Sequence, residues 1–366
     1  MRKNKIKLIV ILPKFVFSGA GNSVFSFINY LNIKKFDISV ICLGKCEYKR
    51  LFNKNIKYYE LKKKSLFLAF FKIFSIIQNI KKNFSKTIIY SNHHYANIYA
   101  IIIKLILKNI KVVCIERTCI YELSKYYSLL DYIKKNIIKY LVKILYKRAD
   151  KLISNTKYTK KEIRNFSKKN IFHVYPPSLT KIKKYKTKKI KNIINLLWVG
   201  RLSREKGCDD LIKSIKFLNF KANIFVLGDG IEYFEMKKLI KNKQNNNVKI
   251  FLKKYVKSPE PYFSKSHVLI NTSYFEGSNN AITEAINNNL LILASDVPGG
   301  NKELLKNQRF GLFYEKNNPN NLAIKLNKIV ENYSQLHSKL KLKKKFLKNF
   351  TNNFSNQKTL KYINRL

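Results

Sequence analysis

Short apolar runs alternate with helical patterns along most of the chain. In the first half, the runs predict strands at residues 7–13, 37–43, 86–92, 111–116 and 151–155. In the second half, they predict strands at 193–198 and 224–227, one just before Glu276 and one from Leu290 onward. Continuous apolar strands alternating with helices are typical of parallel sheets covered on both faces. The pattern therefore predicts an α/β protein.

The length of the chain predicts two domains. With 366 residues, 46% of them hydrophobic, the chain can fill two cores at about 100–200 residues per domain. Pro176 and Pro177 stop the last strand of the first half, and a Lys-rich stretch follows. We predict a first domain at 1–176, a solvated basic linker at 177–192 and a second domain at 193–345. Residues 346–366 are predicted to form a helix that returns to the first domain.

Two glutamates mark a candidate site in the second half. Glu276 and Glu284 are separated by seven residues at the start of a predicted helix, between an apolar strand and the Gly-rich segment around Gly299 and Gly300. This spacing lets a carboxylate at the helix entrance and one on its face point into one cleft. Helix entrances of this kind hold phosphates. The alternative is a solvated helix surface.

A second candidate lies about eighty residues upstream, in a loop that joins a buried strand to a helix. The loop carries Arg201 and Lys206 between Gly200 and Gly207. A guanidinium and an ammonium at a helix entrance suit a diphosphate. Two solvated cations in a Lys-rich chain are the alternative reading.

The order of these motifs resembles the C-terminal half of retaining glycosyltransferase family 4. The segments that carry the resemblance are 200–207, 227–230, 273–284 and 296–303, within a match from about residue 193 to 326. The resemblance implies the GT-B fold, with two Rossmann-like βαβ domains facing each other across a cleft. Residues 298–303 are similar to bacterial members that build surface polysaccharides and lipid-linked oligosaccharides.

The resemblance also implies roles for individual residues. Arg201 and Lys206 match the pair that holds the donor diphosphate. Glu284 matches the carboxylate that binds the ribose hydroxyls, and an acceptor-only carboxylate suits a vicinal diol. Glu276 matches the carboxylate beside the transferred sugar. The remaining residues assigned to the donor site are Gly277, Ser278, Asn279, Gly299 and Gly300.

Residues of the first half are assigned by the same resemblance. Gly19 and Gly21 lie in a predicted loop before a helix at 23–31, and in the family this loop faces the donor. A Gly turn needed only for the strand-to-helix geometry is the alternative. Glu116 ends a predicted strand and is the first-domain candidate for orienting the acceptor hydroxyl. Its alternative role is an ion pair with Arg117.

No cofactor and no metal are predicted. His93 and His94 are adjacent, but no third ligand lies near them at metal spacing. We expect one of them to be packed and the other solvated. The chain also has no Asp-x-Asp pair, which argues against a metal-bridged donor site.

The chain has 74 basic and 21 acidic residues, a net charge of +53. Such a surface attracts anions, including acidic lipid headgroups. Residues 61–71 combine lysines with apolar side chains, which is typical of a segment lying on an anionic membrane. An amphipathic helix packed on the sheet is the alternative.

Composition also bears on where the protein acts. No apolar stretch approaches the roughly 20 residues of a membrane span, and the basic start of the chain does not predict a signal peptide. Five scattered cysteines indicate free thiols. We expect a cytoplasmic protein that is peripheral on the inner face of the cytoplasmic membrane.

These observations lead to one functional hypothesis. We expect a retaining, metal-independent glycosyltransferase that moves a hexose or N-acetylhexosamine from a nucleotide-sugar, with UDP the commonest nucleotide in the family. The acceptor would be a growing glycan or a polyprenyl-diphosphate-linked oligosaccharide. A basic nucleic-acid-binding protein is the alternative from charge alone, although no nucleic-acid-binding module is found and no nucleic-acid partner is expected. A non-catalytic GT-B relative is the other alternative.

Overall fold

The computed structural model describes residues 5–61, 66–242 and 245–366, with only the backbone of residues 66–68. The chain forms two compact units. The first consists of residues 1–178 and 352–366, and the second of residues 179–351. Residues 62–65 of the predicted membrane-binding segment 61–71 lie outside the described residues, and residues 66–71 begin a helix.

The first unit is built on a seven-stranded parallel sheet in the order β3-β2-β1-β4-β5-β6-β7. Its strands are β1 (Ile6–Leu12), β2 (Phe36–Cys42), β3 (Lys57–Glu60), β4 (Thr87–Asn92), β5 (Ile110–Glu116), β6 (Lys151–Ser154) and β7 (Ile171–His173). Its helices are α1 (Gly19–Tyr30), α2 (Leu66–Lys81), α3 (His94–Ile106), α4 (Leu129–Leu145) and α5 (Lys157–Ser167).

The second unit contains a six-stranded parallel sheet in the order β10-β9-β8-β11-β12-β13. Its strands are β8 (Ile194–Val199), β9 (Ala222–Leu227), β10 (Val248–Lys253), β11 (Val268–Asn271), β12 (Leu291–Ser295) and β13 (Gly311–Tyr314). Its helices are α6 (Cys208–Ser214), α7 (Tyr233–Lys241), α8 (Glu260–Lys265), α9 (Asn280–Asn287), α10 (Asn301–Leu304), α11 (Pro319–Glu331), α12 (Tyr333–Ser338) and α13 (Lys343–Leu347). The last helix of the chain, α14 (Asn352–Ile363), belongs to the first unit.

The central strands are apolar at successive positions because both faces of each sheet are covered. In β1, Ile9 and Ile11 enter one core of the first unit, while Leu8 and Val10 enter the core on the opposite face. All five strands that were predicted in the first half are present. The strand that ends at Glu116 was the fourth of the predicted runs along the chain. It is the fifth strand, because the edge strand β3 precedes it in the chain.

Helix α14 packs in the first unit through apolar and polar contacts. Ile363 is buried in the core that includes Leu8 and Val10. The rings of Tyr362 and Phe172 lie 4.0 Å apart. Asn356 Nδ2 donates to the carbonyl of Ser26, in α1, at 3.2 Å.

The Lys-rich stretch expected to be a solvated linker instead runs along the second unit. Lys188 donates to the carbonyls of Phe263, Ser264 and Ser266 at the C-terminal end of α8, at 2.7–3.1 Å. Desolvation lowers the pKa of Lys188 to about 8. A cation at a helix C-terminus offsets the negative end of the helix dipole, which favours this packed position over a solvated one.

Candidate active site

Lys206 and Glu276 meet in the second unit, although they are seventy residues apart in the chain. The Lys206 ammonium lies 2.7 Å from Oε1 of Glu276. Lys206 ends the 3-10 turn Arg204–Lys206 after β8, and Glu276 lies in the loop between β11 and α9. Both side chains therefore lie beyond the carboxyl ends of neighbouring parallel strands, where α/β folds bind ligands.

Hydrogen bonds between the two loops hold this pair in place. Thr272 Oγ1 donates to the carbonyl of Lys206 at 2.7 Å and accepts from the Trp198 indole at 2.9 Å. The Tyr274 N–H donates to the carbonyl of Glu205 at 2.9 Å. Gly207 follows with φ +55°, and a Cβ at this position would lie 2.5 Å from the carbonyl oxygen of Thr272. Glycine is therefore required where the loops approach each other.

The Glu276 carboxylate is buried in a polar cage. Its Oε1 accepts hydrogen bonds from Ser273 Oγ at 2.6 Å and from Asn279 Nδ2 at 3.0 Å. Burial acts to raise the pKa of Glu276, but the Lys206 ammonium, together with the hydrogen bonds from Lys206, Ser273 and Asn271, outweighs it, and the pKa is lowered. Glu276 is therefore an ionised acceptor at neutral pH.

The Gly-rich segment lies against the same loop. Gly299 pairs with Glu276 in a parallel bridge, and the Gly300 N–H donates to the carbonyl of Gly277 at 3.1 Å. Gly299 has φ +125°, and a Cβ there would lie 1.8 Å from the carbonyl oxygen of Glu276. Only glycine permits this approach.

Glu284 lies on α9 and has a different environment from Glu276. Among the described residues its carboxylate has no hydrogen-bond partner. Desolvation alone raises its pKa to about 7. Asn279 caps α9 by accepting from the Ala281 N–H at 3.0 Å. Because α9 starts at Asn280, Glu276 precedes the helix by one turn, whereas we expected it at the helix entrance.

The other residues assigned to the donor site are less constrained. Arg201 has a side chain that is 72% exposed, and it pairs with Glu205 at 3.1 Å rather than with an acidic group of the cage. Ser278 Oγ is shielded from solvent and has no hydrogen-bond partner within the described part of the chain. Lys206 is thus the cation that the fold places within the cage.

In the first unit, Glu116 is buried at the end of β5. Its Oε2 accepts from the Tyr146 hydroxyl, and its Oε1 lies 3.5 Å from Nδ1 of His94. Burial acts to raise the pKa of Glu116, but His94, His93 and Tyr146 outweigh it and the pKa is lowered. The lowered pKa keeps the Glu116 carboxylate ionised, and an ionised carboxylate accepts hydrogen bonds.

The possible ion pair between Glu116 and Arg117 does not form. Arg117 Nε donates to Asn92 Oδ1 at 2.9 Å instead. The carboxylate of Glu116 instead accepts from Tyr146, in the turn after α4, and lies beside His94 of α3.

Helix α1 starts earlier than expected, and this changes the setting of two glycines. Gly19 is its first residue and Gly21 lies in its first turn, so neither is in a loop. A Cβ on Gly21 would lie 2.2 Å from the carbonyl oxygen of Val16. This contact requires glycine at position 21 for packing, whether or not a ligand binds there.

Several polar residues of these clusters were not identified from the sequence. In the second unit they are Asn271, Ser273 and Asn301, and Asn301 Nδ2 donates to Asn271 Oδ1 at 3.0 Å. In the first unit they are Asn97 and Tyr146. Their signal in the sequence is weak: a polar residue at a strand end or a helix start becomes informative only when its partner is known.

The family comparisons cover most of the chain. Residues 17–177 match the family described as Glycosyltransferase Family 4, and residues 180–349 match Glycosyl transferases group 1. The boundary between the two matches falls at the boundary between the two units. The chain therefore belongs to the family 4 glycosyltransferases.

Solved structures of similar fold match nearly the whole chain. The Anabaena protein HepE in complex with UDP-glucose has a TM-score of 0.77 at 16% identity and covers 99% of this chain and 100% of its own. Sucrose-phosphate synthase from Thermosynechococcus elongatus has a TM-score of 0.82 at 14% identity, covering 99% of both chains. The prediction of two Rossmann-like domains of the GT-B type is confirmed.

Curated relatives are similar over part of their length. The Campylobacter jejuni N-acetylgalactosamine-N,N'-diacetylbacillosaminyl-diphospho-undecaprenol 4-alpha-N-acetylgalactosaminyltransferase is 28% identical over 211 residues, covering 55% of this chain and 57% of the relative. The Staphylococcus aureus poly(ribitol-phosphate) alpha-N-acetylglucosaminyltransferase is 27% identical over 180 residues, covering 46% and 34%. The chain thus spans less than two thirds of the length of these relatives.

Proposed function

We propose that this protein transfers a hexose or N-acetylhexosamine from a UDP-sugar to a glycan acceptor, with retention of configuration. The observation that carries the proposal is the Lys206–Glu276 pair in its polar cage, with Glu284 on the helix that follows. The Lys206 side chain is 21% exposed, and its ammonium, held by the buried Glu276 carboxylate, is positioned to bind a second anion. Burial also strengthens its interaction with developing negative charge.

Each donor group has a partner in this proposal. The diphosphate binds the Lys206 ammonium, with Arg201 available from the exposed part of the same loop. Glu284 accepts hydrogen bonds from the ribose diol. Glu276 and the backbone around Gly299 and Gly300 contact the transferred sugar. The acceptor hydroxyl attacks from the face that the diphosphate leaves, and a donor phosphate oxygen takes its proton.

The donor diphosphate is neutralised by side chains rather than by a metal ion. Lys206 and Arg201 carry fixed positive charge, and the N-terminus of α9 adds a partial positive charge. UDP affinity is therefore expected to be the same in excess EDTA and in excess Mg²⁺. An affinity that rises at least tenfold with Mg²⁺ would assign this role to a metal.

The acceptor is proposed to be a growing surface glycan or a lipid-linked oligosaccharide. The C. jejuni relative is named for an acceptor on diphospho-undecaprenol. We place the reaction at the cytoplasmic face of a membrane, in keeping with the five buried cysteines, which form no disulfide among the described residues. No described helix is both long and apolar enough to cross a membrane.

Helix α4 offers a surface for peripheral binding to an anionic membrane. Its outer stripe, defined as Leu130, Ile133, Ile137, Tyr140 and Ile144, is exposed at helical spacing, and Leu130 is 80% exposed. The opposite side of α4 is buried through Ile138 and Val142. Exposed Lys134 and Lys143 are interleaved with the stripe. Apolar side chains flanked by lysines are complementary to acidic headgroups above acyl chains.

A donor-hydrolysis screen tests the proposed activity without knowledge of the acceptor. The purified chain is incubated with UDP-, GDP- and ADP-sugars, and release of the nucleotide is measured. We expect slow hydrolysis of one or a few UDP-sugars, abolished in Glu276→Gln. Binding of UDP without hydrolysis of any donor, and without transfer to lipid-linked oligosaccharides, would favour the non-catalytic alternative. The anomeric configuration of a transferred sugar, read by NMR, decides between retention and inversion.

A further inference from the structure

A cluster of two histidines and a glutamate lies at the ligand-binding edge of the first sheet. His93 follows β4, His94 is the first residue of α3, and Glu122 lies in the 3-10 turn Ile120–Ser124 after β5. Their ligand atoms all lie within 4.8 Å of one another, and no other group of this kind occurs among residues 5–61, 66–242 and 245–366. His93 Nε2 is 4.0 Å from Glu122 Oε2.

Four polar atoms of this cluster are shielded from solvent and have no hydrogen-bond partner among the described residues. These atoms are Nδ1 of His93, both ring nitrogens of His94 and Oε2 of Glu122. A buried polar atom without a partner costs about 1–3 kcal/mol, so several in one place indicate a missing ligand. A cation accepts lone pairs from both imidazoles and from the carboxylate at once.

The Glu116 carboxylate lies behind one of the two histidines, His94. His94 Nδ1 faces Glu116 at 3.5 Å, which leaves Nε2 for a ligand, and Glu116 is itself held by Tyr146. A carboxylate behind a histidine is the usual support of a metal ligand. His93 has φ +78°, and its ring centroid lies 3.8 Å from that of His94. Backbone strain at a non-glycine residue is found chiefly at functional sites.

We propose that His93, His94 and Glu122 bind a divalent transition metal, for which Zn²⁺ is the probe. Two imidazoles, a carboxylate and an open fourth position form a known tetrahedral zinc arrangement. Tetrahedral ligands at about 2.0–2.1 Å from zinc lie roughly 3.3 Å apart, so ligand atoms that now lie within 4.8 Å of one another need to approach by up to about 1.5 Å. The side chains of His93 and Glu122 are 24% and 23% exposed, which provides an entry path for the ion. Mg²⁺ prefers oxygen ligands and is not expected to bind.

The three proposed ligands belong to the first unit, whereas Lys206, Glu276 and Glu284 belong to the second unit. The metal would satisfy the buried imidazoles and hold His93 in its strained conformation. The sequence offered no third ligand because Glu122 is twenty-eight residues from His94 and follows a different strand.

The proposal is tested by metal binding rather than by activity. The full-length chain is prepared without a polyhistidine tag, treated with chelator, dialysed, and titrated with ZnCl₂ and separately with MgCl₂ by calorimetry. We expect saturable binding of one Zn²⁺ per chain, no Mg²⁺ binding, and a melting temperature that rises with Zn²⁺. Glu122→Gln and His93→Asn should weaken Zn²⁺ binding by at least about 100-fold, and Glu116→Gln by roughly 10–100-fold.

The variants are chosen to preserve the fold. Asparagine tolerates the positive φ of position 93 better than alanine does. Glu122→Gln keeps the shape of a partly exposed side chain, so it decides the outcome if the histidine variant is unstable. His173→Asn, which removes a histidine of β7 outside the cluster, is the control and should leave the affinity unchanged. Absence of 1:1 binding in the wild type, or equal affinity in the wild type and Glu122→Gln, overturns the proposal.

Discussion

At the scale of single residues, the two glutamates of the candidate donor site differ in electrostatic environment. Glu276 is stabilised as an anion by Lys206 and by amide and hydroxyl donors. Glu284 is desolvated without compensation, and its pKa is raised to about 7. Identical side chains on one loop–helix segment are therefore expected to respond differently to pH and to substitution.

Lys206→Ala removes the one cation within the cage of described residues around Glu276. We expect turnover to fall by roughly 10²–10³, the usual loss for one preorganised group that stabilises developing charge. Measurement of kcat and KM with the donor found in the screen checks this. Lys213→Ala, which removes an exposed lysine paired with Asp209 at 2.7 Å, is the matched control. Near-normal turnover in folded Lys206→Ala would contradict the assigned role.

Glu284→Gln is expected to weaken donor binding and to make the folded protein more stable at high pH. The pKa of Glu284 in the folded protein is about 7, above the ordinary value of 4.5. Between pH 4.5 and 7, the folded protein therefore carries a proton on Glu284 that the unfolded chain has lost. Wild-type stability therefore falls as pH rises from about 4.5 through 7. Above pH 7, the glutamine variant should be more stable by about 1–3 kcal/mol, with little difference near pH 4.5.

The ionisation of Glu284 also leads to a prediction of how UDP affinity depends on pH. Wild-type affinity should increase as pH rises through 7, because the ionised carboxylate accepts from the ribose diol. Affinity in Glu284→Gln should be lower and insensitive to pH in this range. Calorimetric titration at pH 5.5, 7 and 8.5 measures both effects, with exposed Glu331→Gln as the control. A pH-independent wild-type affinity would remove Glu284 from the ribose site.

At the scale of secondary-structure elements, the edges of the sheets differ from the centres. Four strands are absent from the predicted apolar runs, β3, β7, β10 and β13, and all of them are edge strands. Strand β10 alternates buried and exposed positions, and two of the four residues of β3 are exposed. A strand with only one neighbour and a solvated face does not require a continuous apolar run.

Helix α4 leaves a row of apolar side chains exposed at helical spacing. Ile133→Glu combined with Ile137→Glu should abolish binding to vesicles that contain anionic lipid, because charges replace the centre of the outer stripe. Co-sedimentation with neutral and anionic vesicles at low and moderate salt measures this. Wild-type binding to anionic vesicles should weaken with salt, since screening shortens to about 8 Å near 0.15 M.

The matched control for α4 replaces two exposed apolar residues of the second unit, Ile231 and Phe234, with glutamate. These side chains are 89% and 79% exposed. Equal loss of binding in both double variants would indicate a general charge effect. A wild-type protein that binds neither vesicle but dimerises through α4 in sedimentation velocity would make a second copy of the chain the partner of this surface.

At the scale of the whole molecule, the last helix of the chain, α14, contributes to the core of the first unit. Deletion of residues 352–366 removes buried Ile363 and the contact of Tyr362 with Phe172. Loss of one buried isoleucine alone costs about 2–5 kcal/mol. We expect the melting temperature of the first unit to fall by at least about 5 °C in calorimetry.

UDP binding distinguishes this loss from general unfolding. The deleted chain should still bind UDP, because Arg201, Lys206, Glu276 and Glu284 all lie within 179–351. Deletion of only residues 364–366 is the control and should have a small effect. An unchanged melting temperature after deletion of α14 would show that the first unit is stable without it.

The sequence by itself determined the fold class, the succession of the central strands along the chain and the ordered set of candidate donor-site motifs. These depend on local information: apolar runs that fill a parallel sheet, and glycines such as Gly207 and Gly299 where backbones approach too closely for a Cβ. Only the tertiary structure decided which polar groups meet. Lys206 contacts Glu276 rather than Glu205, Glu116 contacts Tyr146 rather than Arg117, and Glu122 joins His93 and His94. Such partners come from separate strands, and their proximity is set by strand order and register, which no local pattern encodes.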